Sequence, residues 1–566
     1  MKKPIFILGF DCYGHDAAAA LVKDGELIAF AEEERFTREK HTSAYPLNAM
    51  IWCCKQAGIE PKDLDHIVYY WNPYRQWGER ARHLLHYFPE SAGLLKSRTG
   101  KFFPMLAIKG ATRKRLGLSS KTTLHFSEHH LMHAASAFLV SPYPEAAILS
   151  IDAVGEWETT WLGYGRGVDI ECLKAVNFPH SLGLVYGGVT EYLGFKFASG
   201  EGKVMGLAPY GRPETYSELF RRIITCTPDG GFELDLSYFE FHKKGRPHWV
   251  SQKFREAFGP PRLPESELSQ RHKDIAAALQ QRIEEVCFHM AEWLHEKTRL
   301  SALCLAGGVC LNSVMNGKLL ERGPFKNVWV QPAANDAGTS VGACFWLWNT
   351  RMRNPRTYVM EHAYHGPGYE EQDIFKAFHS YGLIAEKVSD PPQRAAQLLS
   401  RGKIVGWFHG RVEAGPRALG NRSILADPRN PEMKDILNSR VKFRESFRPF
   451  APSVPEDKSH LYFDRSYPSP YMILMFNVKE PMKKVIPAVT HVDGTARVQT
   501  VSQDQNPAYY ALLNHFGQMT GVYCLLNTSF NIRGEPIVNR PEEAIQCYLQ
   551  TGMDALFLEG YLLEKK

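Results

Sequence analysis

The chain has no run of about 18 uninterrupted apolar residues, so no membrane-crossing helix is expected. Its opening, Met1-Lys2-Lys3-Pro4, leads into an apolar run only from Ile5 to Phe10, which Asp11 ends. That is short for the core of a secretory signal and reads better as a buried strand. It also lacks a Walker A loop and a dinucleotide fingerprint, which excludes the commonest phosphate-binding signatures. Charge of one sign is scarce, with a net +6 over 566 residues. Residues 401–450 hold 11 Lys/Arg against 5 Asp/Glu, whereas the rest of the chain holds 56 of each sign. A nucleic-acid surface would spread its charge and cluster Lys, so no nucleic acid is expected as a partner. The 11 cysteines are odd in number, and Cys304, Cys310, Cys344 and Cys524 sit in apolar runs. A reduced, cytoplasmic chain is the simplest reading.

What is present reads as α/β. At roughly 100–200 residues per domain, two to four domains are expected. Strands are predicted at Ile5–Phe10, Ala17–Val22, Glu26–Glu32, Ile67–Tyr70, Ala146–Ile151, Ala302–Ala306 and Val328–Gln331. Helices are predicted at Tyr45–Gln56, Ile275–Glu296 and Ser340–Trp348, and strands alternating with helices define the class. Pro355, Gly366, Pro367 and Gly368 interrupt the pattern, so residues 355–368 are read as a linker between a domain of residues 1–354 and one of residues 369–566. A helix–strand pair is expected at Arg394–Ser400 and Lys403–Phe408. No internal repeat stands out, and residues 72–120 show no assignable pattern.

Several motifs could carry chemistry. Asp11-Cys12-Tyr13-Gly14-His15-Asp16 lies at the first strand turn, where acids and glycine place a loop near phosphate or metal; an ordinary polar hairpin turn is the alternative. His125, His129, His130 and His133 fall in nine residues, and His129 and His133, four apart on a helix, can share one metal. Asp336, between a strand end and a helix start, could complete the set or serve as a helix cap. Two imidazoles and a carboxylate suit Fe(II) first, or Mn or Zn. Glycine-rich turns bearing Gly155, Glu156, Gly307, Gly308 and Asn312 could form a nucleotide cradle, although each alone is an ordinary turn. In the basic segment, arginines stand beside Gly or Pro, as around Arg417, Arg444 and Arg448, with Lys442 among them. Such loops suit a compact polyanion better than a solvated face does. Arg497 is added to this set, as are Asn527, Ser529 and Asn531 from a polar turn after a predicted strand at Val522–Leu526.

Six ordered blocks carry a resemblance: Gly14-His15-Asp16; Glu32-Glu33-Glu34-Arg35-Phe36; His129 to Phe138; Val204-Met205-Gly206-Leu207-Ala208-Pro209-Tyr210-Gly211; Gly415-Pro416-Arg417-Ala418-Leu419-Gly420; and Leu526 to Asn531. Together they resemble the NodU/CmcH carbamoyltransferase family over almost the whole chain. The stretch Ala31–His41 is most similar to the tobramycin carbamoyltransferase branch.

The resemblance implies an N-terminal actin-like ATPase domain of ASKHA type and a C-terminal YrdC-like α/β domain. It implies that ATP, with Mg2+, condenses with carbamoyl phosphate in the C-terminal domain to give carbamoyl adenylate and pyrophosphate. The carbamoyl group then passes in the N-terminal domain to a hydroxyl of a small molecule, such as an aminoglycoside, an oligosaccharide, a polyketide or a β-lactam precursor. His15 matches a position suspected of general-base action, and Lys40 a basic position near the activated group. The expected metal ligands are His129, His133 and Asp336, and the oligomeric state is monomer or homodimer. Two other readings stand beside this one: an actin-like ATP-dependent switch or chaperone, and carbamoyl transfer to RNA.

Overall fold

A computed structural model describes residues 3–565. The chain divides into two compact units. One runs to Glu33 and resumes at His41–Met360; the other joins Glu34–Lys40 to the chain from Glu361 onward. The long stretches of chain divide between Met360 and Glu361, and the early segment Glu34–Lys40 belongs with the later unit. Its two arginines explain why. Arg35, buried, donates to the Gly415 carbonyl at 2.9 Å, and Arg38 donates to the Ile537 and Pro536 carbonyls at 2.8 and 2.9 Å and faces Glu543 at 3.2 Å.

In the first unit, β1 (Phe6–Asp11), β2 (Ala18–Lys23) and β3 (Glu26–Glu32) form an antiparallel meander. Parallel strands β4 (His66–Tyr69) and β5 (Thr123–Phe126) extend it, giving the order β3-β2-β1-β4-β5. The pattern then recurs. β6 (Glu145–Ile151), β7 (Glu158–Arg166) and β8 (Asp169–Asn177) make a second meander. A short hairpin of β9 (Ile224–Cys226) and β10 (Phe232–Leu234) intervenes. Parallel β11 (Ala302–Ala306) and β12 (Asn327–Val330) then complete the order β12-β11-β6-β7-β8. The same five-strand order twice over is the actin-like ATPase arrangement. This structural repeat has no counterpart in the sequence, because each half matches the other in topology and not in residues.

Each half ends in a helix after its fifth strand: His129–Phe138 in the first and Ala337–Phe345 in the second. The second of these, AGTSVGACF, is buried throughout, and its small residues let backbones meet. A Cβ on Gly342 would clash with the Met132 carbonyl oxygen of the other helix, and one on Gly9 in β1 would clash with the Ser340 carbonyl. The helix starts three residues before the expected Ser340, since glycine and alanine hide its periodicity. The long helix Gln270–Thr298 encloses the predicted 275–296. Residues 72–120 fold largely as helices Trp77–His86, Ala92–Leu106 and Ile108–Leu116, the second with Pro104 inside it.

The second unit is α/β on a mixed sheet. Its strands among the described residues are β13 (Glu386–Lys387), β14 (Val405–Phe408), β15 (Arg422–Ala426), β16 (Ala451–Pro455), β17 (Leu474–Asn477), β18 (Thr495–Val501), β19 (Leu525–Ser529), β20 (Ala555–Leu558) and β21 (Tyr561–Glu564), in the order β13-β21-β20-β14-β15-β19-β16-β18-β17. Helices Pro391–Ser400 and Pro507–Thr520 bury Leu398, Leu399, Leu512, Leu513 and Phe516 against Trp407, Leu425 and Phe557. The expected strand Val522–Leu526 is displaced toward the C-terminus. Asn527, Thr528 and Ser529, read as a turn, lie within β19; all three pair with β15, and Asn527 pairs with β16 as well. Among the described residues no helix is long and apolar enough to cross a membrane, and no cysteine is in a disulfide.

Gly342→Ala should lower stability by about 1–3 kcal/mol through overpacking, measured by urea denaturation. Gly110, in an exposed helix with open space around it, gives the opposite sign: Gly110→Ala should leave stability unchanged or raise it by up to about 1 kcal/mol.

Candidate metal centre and anion site

Helix His129–Phe138 sets His129 and His133 one turn apart on its buried face. Their rings lie edge to face, with centroids 4.6 Å apart. Around their Nε2 atoms stand two carboxylates, one at a strand end and one at a helix start: Asp152 just after β6 and Asp336 just before helix Ala337–Phe345. His129 Nε2 is 3.1 Å from Asp152 Oδ2 and 3.8 Å from Asp336 Oδ1; His133 Nε2 is 3.8 and 3.7 Å from the same two atoms. Ligand atoms about 2.1 Å from one ion stand roughly 3.0–3.4 Å from each other; the 3.1 Å pair falls in that range and the 3.7 and 3.8 Å pairs lie just beyond it, so small side-chain shifts would seat a shared ion. His133 Nε2 is buried without a hydrogen-bond partner, as expected of an atom meant for something else. Burial opposes charge on His133, but Asp152 and Asp336 outweigh it and push its pKa up to about 9. Burial likewise opposes the Asp152 carboxylate, and the two histidines hold it well below the usual range. The donor set fits a divalent metal.

The structure brings the sequence-predicted His129, His133 and Asp336 together, with Asp152 beside them as a further candidate donor that the sequence reading did not include. Its signal was an acid directly following the buried strand ILSI, the same place in its half that Asp11 holds after FILGF. Asp336 also makes no side-chain capping bond; its carboxylate faces the histidines instead. The other two histidines of the cluster point away. His130 meets Ser150 Oγ at 2.9 Å and the Glu158 carbonyl at 3.2 Å, and His125 meets His66 at 3.2 Å.

The glycine-rich turns surround this centre. A Cβ on Gly155 would stand 2.9 Å from His129 and 3.0 Å from His130. Glu156 accepts from the backbone N–H of His129 at 3.1 Å and of Asn72 at 2.8 Å, anchoring the helix start. Burial raises its carboxyl to about 7, only partly offset by His129 and backbone N–H groups. Gly308 N–H donates to Asp152 Oδ1 at 3.2 Å, and Gly307 adopts φ +89°, where a Cβ would strike the Ile151 carbonyl. Asn312 caps helix Ser313–Arg322 and exchanges two hydrogen bonds with Gln280, so its amide is used internally.

Beside the centre, Asp16 holds two imidazoles at once. His15 Nδ1 and His41 Nδ1 each lie 2.6 Å from one of its oxygens, and Asn335 donates to it at 2.6 Å. The two rings stack at 5.0 Å. Asp16 and His41 both have positive φ, +53° and +58°, a strained setting that the local contacts maintain. Burial disfavours a charged His15, yet Asp16, with Asp336 and Glu201, pushes it up to about 9. Lys40 lies in the other unit, near enough to Lys442 to help lower its pKa.

The second unit concentrates positive charge. Lys442 is buried and donates to Ser529 O and Oγ and to Asn531 O and Oδ1 at 2.6–3.3 Å, all of them neutral acceptors. Burial, then Arg417, Arg444 and Arg448, lower the pKa of Arg497, whose Nε is buried without a partner. Burial and Arg448 push Arg417 down to about 10; burial and then Arg448 also lower Arg444. Glu445 is the carboxylate that partly offsets both Arg444 and Arg448. Guanidinium groups stay charged at neutral pH, so half-buried ones crowded together would be stabilised by an anion. Asn527 lies at the base of this sheet region, donating to Ala418 O, Ser453 Oγ and Gln499 Oε1 at 3.0–3.2 Å.

The fold and the two centres thus define a two-unit α/β protein with a metal-competent centre in an actin-like unit and a separate cationic site. The family model described as Carbamoyltransferase N-terminus matches residues 6–345, and that described as Carbamoyltransferase C-terminus matches residues 396–565. The chain belongs to the carbamoyltransferase family and is a carbamoyltransferase. It is 42% identical to Uncharacterized protein sll1178 of Synechocystis sp., over 99% of this chain and 96% of that protein. It is 37% identical to Nodulation protein NolNO of Sinorhizobium fredii, over 98% of this chain and 79% of that protein. Among solved structures, T.kodakarensis HypF is similar at 14% identity and a TM-score of 0.33, over 62% of this chain and 48% of that one.

Replacing Asp152 with Asn should raise the dissociation constant for the metal at least tenfold, as should His133→Ala, read by metal content after dialysis against a chelator. Full occupancy in Asp152→Asn would remove it from the ligand set.

Proposed function

We propose that the second unit condenses ATP and carbamoyl phosphate into carbamoyl adenylate, and that the first unit transfers the carbamoyl group to a hydroxyl of a small molecule. The observation that carries this reading is the crowding of half-buried Arg417, Arg444, Arg448 and Arg497 around one another and near buried Lys442, with Glu445 as the carboxylate beside Arg444 and Arg448. The substrates are polyanions that repel one another, and fixed cations offset that repulsion without reorganising. Atoms balance when carbamoyl phosphate loses its phosphate to water and the freed carbamate oxygen attacks the α-phosphorus of ATP, expelling pyrophosphate. Ser529 and Asn531, tied to Lys442, line the same region and suit ribose or phosphate contacts.

In the first unit, His129, His133, Asp152 and Asp336 would hold a divalent metal, Fe(II) foremost with Mn or Zn as alternatives. When bound, the metal would supply Lewis-acid neutralisation of phosphate charge. The acceptor hydroxyl attacks the carbamoyl carbon, the bond to the phosphate oxygen breaks, and AMP leaves. His15 Nε2 takes the hydroxyl proton, while Asp16 fixes the ring through Nδ1 and makes the neutral imidazole a stronger base.

ATP–pyrophosphate exchange dependent on carbamoyl phosphate tests the first half. It should be present in the native protein and fall at least 100-fold in Arg448→Ala or Arg497→Ala; its absence from native protein sinks the reading. His15→Ala should keep the exchange and abolish carbamoyl gain by the acceptor, followed by mass spectrometry over a panel of sugars and antibiotics. Because the base must be neutral and Asp16, Asp336 and Glu201 hold His15 near 9, with His41 sharing its carboxylate, transfer should quicken as pH rises toward that value. A rate independent of pH from 6 to 9 would remove His15 from the base role.

A further inference from the structure

Tyr70 follows β4 directly and is fully buried, and its hydroxyl has no hydrogen-bond partner. Its backbone N–H donates to the Phe10 carbonyl at 3.2 Å, so the residue is fixed beside the end of β1. The ring is held on three sides, 5.2 Å from Tyr69, 5.7 Å from Trp71 and 5.3 Å from His129, centroid to centroid. The hydroxyl therefore cannot swing away to find water. Gly14 shows where it points. A Cβ on Gly14 would clash with the Tyr70 hydroxyl and stand 2.8 Å from Asp336 Oδ2. The phenol and the carboxylate thus converge on one spot that the loop keeps free of a side chain. Asp11 Oδ2, also buried and without a partner, lies at the end of the neighbouring strand. A phenylalanine ring would fill the same volume without leaving a donor stranded, so packing gives the hydroxyl no purpose.

We propose that the Tyr70 hydroxyl donates a hydrogen bond to a phosphate oxygen of a nucleotide monophosphate held at the His129, His133, Asp152 and Asp336 centre: the adenylate donor before transfer, and AMP after it. This rests on the reading of the first unit as the carbamoyl-transfer site. A phenol is a strong donor and, unlike lysine or arginine, adds no charge beside the metal, so it can order the phosphate without competing with the cation. Gly14 lets the loop backbone pass close to both the phenol and Asp336, which a side chain there would push apart.

The test uses the full chain loaded with Co(II), whose visible absorption reports on this centre and not on nucleotide bound in the second unit. AMP is titrated and the spectral change followed. Tyr70→Phe should retain the native cobalt stoichiometry and far-ultraviolet circular dichroism, while its dissociation constant for AMP rises roughly 10- to 100-fold, as for loss of a hydrogen bond to a charged oxygen. An AMP affinity within twofold of the native value would overturn the assignment. So would loss of cobalt from Tyr70→Phe, which would make the phenol a support for the ligands only. Native protein that binds cobalt but shows no response to AMP would instead remove the transfer-site reading, and this inference with it.

Discussion

The contact between helices His129–Phe138 and Ala337–Phe345 is the constraint on which the first unit depends. Two topologically equivalent helices, one closing each half of a duplicated fold, approach until backbone meets backbone, and Gly342 permits it. That approach carries His129 and His133 from one half to Asp336 from the other. Asp152 is supplied by the first strand of the second half. The centre is therefore built across the seam of the duplication, and neither half holds a complete donor set. Symmetry in topology has been turned into asymmetry in chemistry: the strand-end acid of the second half, Asp152, faces two histidines and is held ionised, while its counterpart Asp11 is driven toward the neutral form by burial and by Asp336 and Asp16.

Much of this was legible in the residues. Hydrophobic runs such as FILGFD and ALCLA announced their strands to within a residue, because central strands of such a sheet are buried on both faces. The pair His129 and His133 was visible from spacing alone. What could not be read was anything carried by small residues or by long-range packing. The helix AGTSVGACF has no amphipathic stripe, since every face is covered, so its start was misplaced. Asp152 looked like part of a turn, as nothing nearby in sequence says which way a strand-end carboxylate faces. The polar residues Asn527 to Ser529 resembled a loop and proved to be strand, because a buried sheet can satisfy polar side chains from its neighbours.

The second unit solves the opposite electrostatic problem. The first gathers donors suited to a cation; the second crowds cations, and its buried ammonium is held by neutral groups: carbonyls, a hydroxyl and an amide surround Lys442. Crowded cations without a compensating charge cost stability. The concentration of net charge in residues 401–450 is the linear trace of this three-dimensional fact.

The placement of Glu34–Lys40 has a consequence for how the two units can have been inherited. The second unit is not a contiguous length of chain: its buried Arg35 comes from the first tenth of the protein. A gene split after Met360 would yield a C-terminal product lacking that guanidinium and the cover it gives the Gly415 carbonyl, within the arginine-bearing loop. The C-terminal stretch taken alone is therefore short of a buried side chain that its own unit uses.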